Sequence, residues 1–180
     1  MFGLLFKKKL TEKEIAESFA LNILNLVDQT FEDVMTVIIN DSNFERKPKV
    51  DLENYDAFLL TVIAGNLKYV SRNFRDYRDV RITKQINEIM AMELGVDVRM
   101  FQKVMADYHT FFKRINHPSK NTLYAMSKTV FAKYNLNEYQ KEYFRKMNSP
   151  NPVLLKTIDG IMENFIWEWD KLEEEYKIIS

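Results

Sequence analysis

The sequence predicts an all-α protein, a single-domain bundle of seven or eight helices with a long C-terminal helix. Apolar residues recur every three to four positions in each long segment, and no segment shows the sustained alternation of a strand. Only four glycines and four prolines interrupt the 180 residues. Thirteen Phe and nine Tyr provide enough large side chains for one well-filled core. We expect residues 1–10 to form a basic and apolar N-terminal segment and residues 11–180 to form one helical domain.

The first helix begins after Thr11, because Glu14 three residues later completes a capping box. Its apolar stripe continues to about Ile39, which predicts one helix of about 28 residues. A second cap at Thr30 would instead divide this stretch into two helices. The spacing is compatible with both arrangements.

Shorter helices follow, separated by polar breaks. Asp51 and Asp97 are placed to cap two of them, and Gly95 ends the helix between. Gly65 and Gly160 lie inside helical patterns, where glycine costs about 1 kcal/mol relative to alanine, so we expect a neighbouring helix to approach closely at both. The predicted stripes run over Tyr55–Phe74, Ile82–Met90, Phe101–Ile115, Leu123–Tyr134 and Tyr139–Phe144.

The last predicted helix covers residues 152–179. Asn151 followed by Pro152 is a favourable cap and first-turn pair. Beyond it the apolar residues are spaced alternately by three and four, which is a heptad seam along one helix face. The seam comprises Leu155, Ile158, Met162, Phe165, Trp169, Leu172, Tyr176 and Ile179.

Gly160 and Trp167 lie on the side of this predicted helix away from the seam. Tryptophan is enriched at interface hot spots, so these two residues are the candidate partner-binding site. The partner would be an unidentified protein or a second copy of the chain. For Trp167 the sequence favours burial within its own chain, and the contact with a partner is the alternative.

Charge is unevenly distributed although the chain is neutral overall. Residues 101–150 carry a net charge of +6, and residues 151–180 carry −4. We expect the acidic last segment to lie near the basic one and partly neutralise it, and a partner of matching charge is the alternative.

No pattern in the sequence predicts a catalytic residue, a cofactor or a metal site. The absence of Cys excludes disulfides and thiolate chemistry, and the glycines are too far apart for a phosphate-binding loop. His109 is interpreted as a packing residue and His117 as a residue at a helix C-terminus, because neither has the spacing of a metal motif. Asn66 is the one polar residue on an apolar face, which indicates either a buried hydrogen-bonded side chain or a ligand pocket.

Two basic groups are candidate polyanion-binding residues. Lys7, Lys8 and Lys9 follow the apolar run Phe2–Phe6, a combination suited to an anionic membrane surface, although docking on the bundle or on a second subunit would also explain the run. The second group shares one helix face and comprises Lys68, Arg72 and Arg75. Nucleic acid is disfavoured, because most aromatic residues near the basic positions fall on core-facing stripes.

The leading hypothesis is a non-enzymatic, cytoplasmic interaction or regulatory protein that acts through helix surfaces, with a homodimer as one form. A polyanion-binding protein is the alternative, located peripherally at the membrane if the anion is lipid. A helical bundle that binds a small molecule is the further alternative.

Overall fold

The computed structural model describes residues 7–180, and the predicted all-α class is confirmed. This part of the chain contains eight α-helices, one short 3-10 helix and two short strands. The helices are α1 Glu12–Ile39, α2 Tyr55–Asn73, α3 Arg78–Glu93, α4 Val98–Asn116, α5 Thr122–Lys133, α6 Glu142–Met147, α7 Pro152–Glu163 and α8 Trp169–Glu175. The 3-10 helix spans Leu136–Tyr139, and the strands are β1 Lys8–Thr11 and β2 Tyr176–Ile179.

Helix α1 is a single helix of 28 residues, which settles the choice that the spacing left open. Its capping box forms as predicted. The Thr11 hydroxyl accepts a hydrogen bond from the Glu14 amide at 3.1 Å, and the Glu14 carboxylate accepts one from the Thr11 amide at 2.8 Å. These bonds from Thr11 hold the pKa of Glu14 below its ordinary value.

Helix α2 is the most buried helix of the bundle, with almost every residue between Ala57 and Leu67 inaccessible to solvent. It packs against α5 and α3, while α1 packs mainly against α3. Gly65 faces Met126 of α5, and a β-carbon at this position would overlap the Met126 side chain. The predicted close approach of a neighbouring helix is therefore confirmed at Gly65.

The predicted continuous helix over residues 152–179 is wrong. Helix α7 ends at Glu163, α8 is a separate helix of seven residues, and the chain then enters β2. Strand β2 pairs in parallel with β1, from Lys8 opposite Tyr176 to Thr11 opposite Ile179, so the expected absence of strands is wrong as well.

The heptad spacing nevertheless identified side chains that are buried. Ile158 and Met162 on α7, Phe165 in the turn and Trp169 at the start of α8 are all at most 3% exposed. The heptad spacing marks residues that face the core. These residues can face the core whether the chain bends after α7 or continues as one straight helix.

Asn66 provides the physical reason for the break between α7 and α8. Its side-chain amide nitrogen donates to the carbonyls of Val62 at 3.0 Å and Phe165 at 2.8 Å. Its side-chain oxygen accepts from the Trp167 amide at 2.9 Å and from the Trp169 indole nitrogen at 3.0 Å. An asparagine side chain has two donors and two acceptor positions, and all four are used. The backbone groups that leave the helix thus find partners inside the core.

A cluster of ion pairs joins the two ends of the described chain to the start of α3. Glu12 is 2% exposed and accepts two hydrogen bonds from the Arg81 guanidinium, at 2.8 and 2.6 Å. Arg78 lies 2.6 Å from the Glu173 carboxylate, and Lys7 donates to the Glu173 carbonyl at 2.6 Å. Within residues 7–180 the carboxylates at ion-pair distance from Arg78 and Arg81 come from α1 and α8.

Replacing Asn66 with Leu, which has a similar volume, should lower the free energy of unfolding by about 3 kcal/mol or more. The Phe165 carbonyl, the Trp167 amide and the Trp169 indole would each lose their hydrogen-bond partner. Chemical denaturation followed by circular dichroism measures this loss. Asn22→Ala is the matched control, since Asn22 also donates to a carbonyl one turn earlier but is exposed. Its effect should stay within about 0.5 kcal/mol. An Asn66→Leu variant as stable as the control would contradict the anchoring role of Asn66.

Candidate functional site

Four cationic side chains converge on one concave surface, which we call the basic pocket. Lys68 and Arg72 come from α2, Lys113 from α4, and Lys120 from the connection between α4 and α5. The pocket has a volume of about 410 Å³. Its remaining lining contains no carboxylate and consists of Phe112, Asn116, Ser119, Asn121, Thr122 and Ala125.

The connection between α4 and α5 is held on both sides of the basic pocket. The buried Asn116 donates to the Asn121 carbonyl at 2.7 Å and accepts from the Lys128 ammonium at 3.2 Å. From the opposite side, Arg72 donates to the Lys120 carbonyl at 2.8 Å. These bonds fix the backbone around Lys120, so the pocket is built into the fold.

The charges of the basic pocket lack a counterion within residues 7–180. No carboxylate in this part of the chain lies within 4.0 Å of the four cationic groups. Burial lowers the pKa of Lys68, and the charges of Lys113 and Arg72 act in the same direction. A bound anion would offset both the repulsion and the loss of hydration.

His109 lies behind this group of charges and agrees with its interpretation as a packing residue. Its Nε2 is 2.9 Å from the Ala64 carbonyl, so this nitrogen carries the proton and donates. Burial lowers the pKa of His109, the charges of Lys68 and Lys113 lower it further, and the bond to Ala64 opposes them. These effects disfavour a charged imidazole, and His109 does not line the pocket.

Two of the six predicted polyanion-binding residues line the basic pocket, and the other four do not. Lys68 and Arg72 lie together in the basic pocket, whereas Arg75 is exposed and is not part of the pocket lining. Lys7 contacts Glu173, and the exposed Lys8 and Lys9 belong to β1. The apolar run Phe2–Phe6, which carried the membrane hypothesis, lies outside the described residues.

Lys113 and Lys120 were missed at the sequence level. The signal that could have found them is the net charge of +6 over residues 101–150, where both lie. We had expected the acidic last segment to neutralise this charge. Among the described residues, no ion pair joins residues 101–150 to residues 151–180, and Glu173 pairs with Arg78 of α3 instead.

Trp167 does not lie on a helix surface, so its predicted position opposite the seam is wrong. It occupies the bend before α8, where its ring centroid is 5.6 Å from that of Phe19 and 4.7 Å from that of Trp169. Its side chain is half-buried in this aromatic cluster. Burial within its own chain, which the sequence favours for Trp167, therefore accounts for its position.

Gly160 is exposed on α7, and a β-carbon added there would meet no atom within 4 Å. The predicted close approach of another helix at Gly160 is therefore wrong for the described part of the chain. Neither candidate partner-binding residue has the surroundings that suggested it.

Asn66 has no hydrogen-bonding position left for a ligand, because its two donors and two acceptors are filled by the chain. It is fully buried and does not line the basic pocket. The ligand pocket that its polarity suggested is therefore not located at Asn66.

Residues 7–180 contain neither a metal-binding cluster nor a membrane-spanning helix. This range contains no group of three or more His, Asp or Glu side chains arranged to hold a metal ion. None of its helices combines the length and the apolar character needed to cross a membrane. Comparisons with protein-family models, with curated proteins and with solved structures gave no match for the chain.

Gly160→Ala should raise the free energy of unfolding by about 0.5–1 kcal/mol, because alanine has the higher helix propensity and its methyl group meets open space. Gly65→Ala is the matched comparison and should lower it, since the methyl group would displace the fully buried Met126. Thermal and chemical denaturation measure both changes. A destabilising Gly160→Ala substitution would indicate that a partner or a second copy packs at this position.

Proposed function

We propose that this protein is a binding protein whose small ligand carries a phosphate or a similarly compact anionic group, held in the basic pocket. One observation carries this proposal: Lys68, Arg72, Lys113 and Lys120 converge on a single pocket that has no carboxylate in its lining. The pocket supplies cations and amide groups that can hold an anion. It contains neither a carboxylate nor an imidazole to transfer protons, which favours a binding role over a catalytic one.

The chemistry of the lining suits a phosphate group. Arginine donates through a planar fork that matches phosphate oxygens, and lysine adds a point charge from any direction. Thr122 begins α5, and the positive end of a helix dipole further favours an anion there. A volume of about 410 Å³ is typical of pockets for small ligands.

The shape of the basic pocket favours a compact anion over an extended polyanion. Of the six predicted polyanion-binding residues, only Lys68 and Arg72 line this pocket, and Lys7–Lys9 do not. A concave site of this size supports a small ligand over nucleic acid or a membrane surface.

The interaction function that we inferred from the last helix stays a prediction, as do the cytoplasmic location and the homodimer. Trp167 contacts Phe19 and Trp169 within the chain, so it no longer supports a protein partner. The basic pocket is the better supported site because its charges lack an internal partner in residues 7–180.

Binding of inorganic phosphate and pyrophosphate should be saturable at low salt and should weaken as ionic strength rises. The double substitution Lys68→Gln and Lys113→Gln should reduce affinity at least about tenfold, because two close cations are lost. Isothermal titration calorimetry measures the affinity, and bound ligand should also raise Tm.

Lys103→Gln is the matched control, since Lys103 is an exposed lysine of α4 that does not line the pocket. Its affinity for pyrophosphate should equal that of the wild type. The proposal fails if neither anion binds the wild-type protein at low salt, or if the control and the double variant lose affinity equally.

A further inference from the structure

We infer that the basic pocket holds one end of a longer ligand, a hydroxylated organic phosphate, and that an adjoining pocket holds the uncharged body of that ligand. This inference rests on the proposed function and adds the chemical class of the ligand. Sugar phosphates and nucleoside phosphates share this chemistry.

The second pocket, which we call the amide pocket, also has a volume of about 410 Å³. Its polar lining comes from the 3-10 helix, the residue before it and the two residues after α6, namely Asn137, Asn135, Asn148 and Ser149. Lys128 is the one charged residue of the lining, and Ile115, Phe131, Ala132 and Pro150 supply its apolar part.

The two pockets adjoin along the contact between α4 and α5. Lys128 lines the amide pocket, and its ammonium donates to the side chain of Asn116, which lines the basic pocket, at 3.2 Å. Ile115 and Asn116 are consecutive on α4 and line the two pockets in turn. On α5, Ala125 lines the basic pocket, and Lys128, one turn later, lines the amide pocket. The Lys128–Asn116 hydrogen bond thus lies where the linings of the two pockets touch.

A buried glutamine builds the wall of the amide pocket. Gln140 is fully buried, and its amide nitrogen donates to the Asn137 side chain and to the Ser149 carbonyl, each at 3.0 Å. Its side-chain oxygen accepts from the Asn151 amide at 2.6 Å. The buried Gln140 side chain therefore fixes the positions of two polar lining residues, Asn137 and Ser149.

Three polar side chains of the amide pocket keep their hydrogen-bonding capacity. Within residues 7–180, the side chains of Asn135, Asn148 and Ser149 make no hydrogen bond to the protein, although they line the pocket. Asn135 and Asn148 adopt left-handed backbone conformations, with φ of 52° and 49°. Their backbone amides donate to carbonyls at the ends of the preceding helices. Their positions are therefore set by the backbone.

These groups match the chemistry of a hydroxylated molecule. Primary amides and a serine hydroxyl both donate and accept, as sugar hydroxyls do. Ile115 and Phe131 can contact the carbon face of a sugar or a base. A ligand with its phosphate in the basic pocket would place its hydroxyl groups in the amide pocket, because the two linings touch at the Lys128–Asn116 hydrogen bond.

The test compares inorganic phosphate with glucose 6-phosphate and AMP by isothermal titration calorimetry. At least one organic phosphate should bind the wild-type protein about tenfold more tightly than inorganic phosphate, because hydrogen bonds in the amide pocket add to the affinity. Preference for glucose 6-phosphate would assign the body as a sugar, and preference for AMP would assign it as a nucleoside.

The double variant Asn135→Gly and Asn148→Gly removes both amides, and glycine adopts positive φ without strain. This double variant should lose the tenfold tighter binding of the organic phosphate, while its affinity for inorganic phosphate should be unchanged. Tyr77→Gly is the control, because Tyr77 also has a positive φ of 62°, is 79% exposed and lines neither pocket. Thermal melts establish that the variants fold.

The failures of the two proposals are distinguishable. If inorganic phosphate binds but neither organic phosphate binds more tightly, or if the glycine variant keeps the advantage, the inference on the amide pocket is overturned and the proposed function stands. If the wild type binds none of the three probes, the proposed function fails, and the inference fails with it.

Discussion

The fold of the last third of the chain depends on one buried side chain, Asn66. In a low-dielectric interior an unpaired backbone amide or carbonyl is costly. A helix can therefore end inside the core only where other groups form hydrogen bonds with the backbone groups that it leaves free. Asn66 supplies such partners for Phe165, Trp167 and Trp169 at once. Around it, the Trp169 ring packs against Phe19 and Phe74. The polar anchor and the aromatic cluster therefore support each other.

The bend at Asn66 has consequences at the chain ends. Because the chain turns there, α8 and β2 return to the first residues of the described chain, where β2 pairs with β1 and Glu173 reaches Arg78. Arg78 and Arg81 also face Glu12, so one cluster of charges joins α1, α3 and α8. Glu12 is buried whereas the Arg81 side chain is 44% exposed, and the bidentate geometry of the pair offsets the desolvation of the carboxylate.

The cations of the basic pocket take no part in this pairing. Lys68 and Arg72 follow Asn66 on α2, and the core contacts of α2 set their position relative to α4 and α5. Lys113 and Lys120 complete the set from segments more than 40 positions away in the sequence. A charge cluster of this kind is assembled by packing, which explains why the helical spacing of Lys68, Arg72 and Arg75 identified two of its members and no more.

The sequence by itself determined the helical class, the capping box at Thr11, the polar Asn66 on an apolar helix face and most of the buried side chains, because these depend on neighbours within one or two turns. It also located the excess of positive charge in residues 101–150. Only the tertiary structure decided that the heptad seam bends at Asn66, that the chain ends pair as strands, and that Gly160 meets open space while Gly65 meets Met126. Each of these outcomes depends on a partner from a distant segment, and local spacing carries no information about which segment will be there.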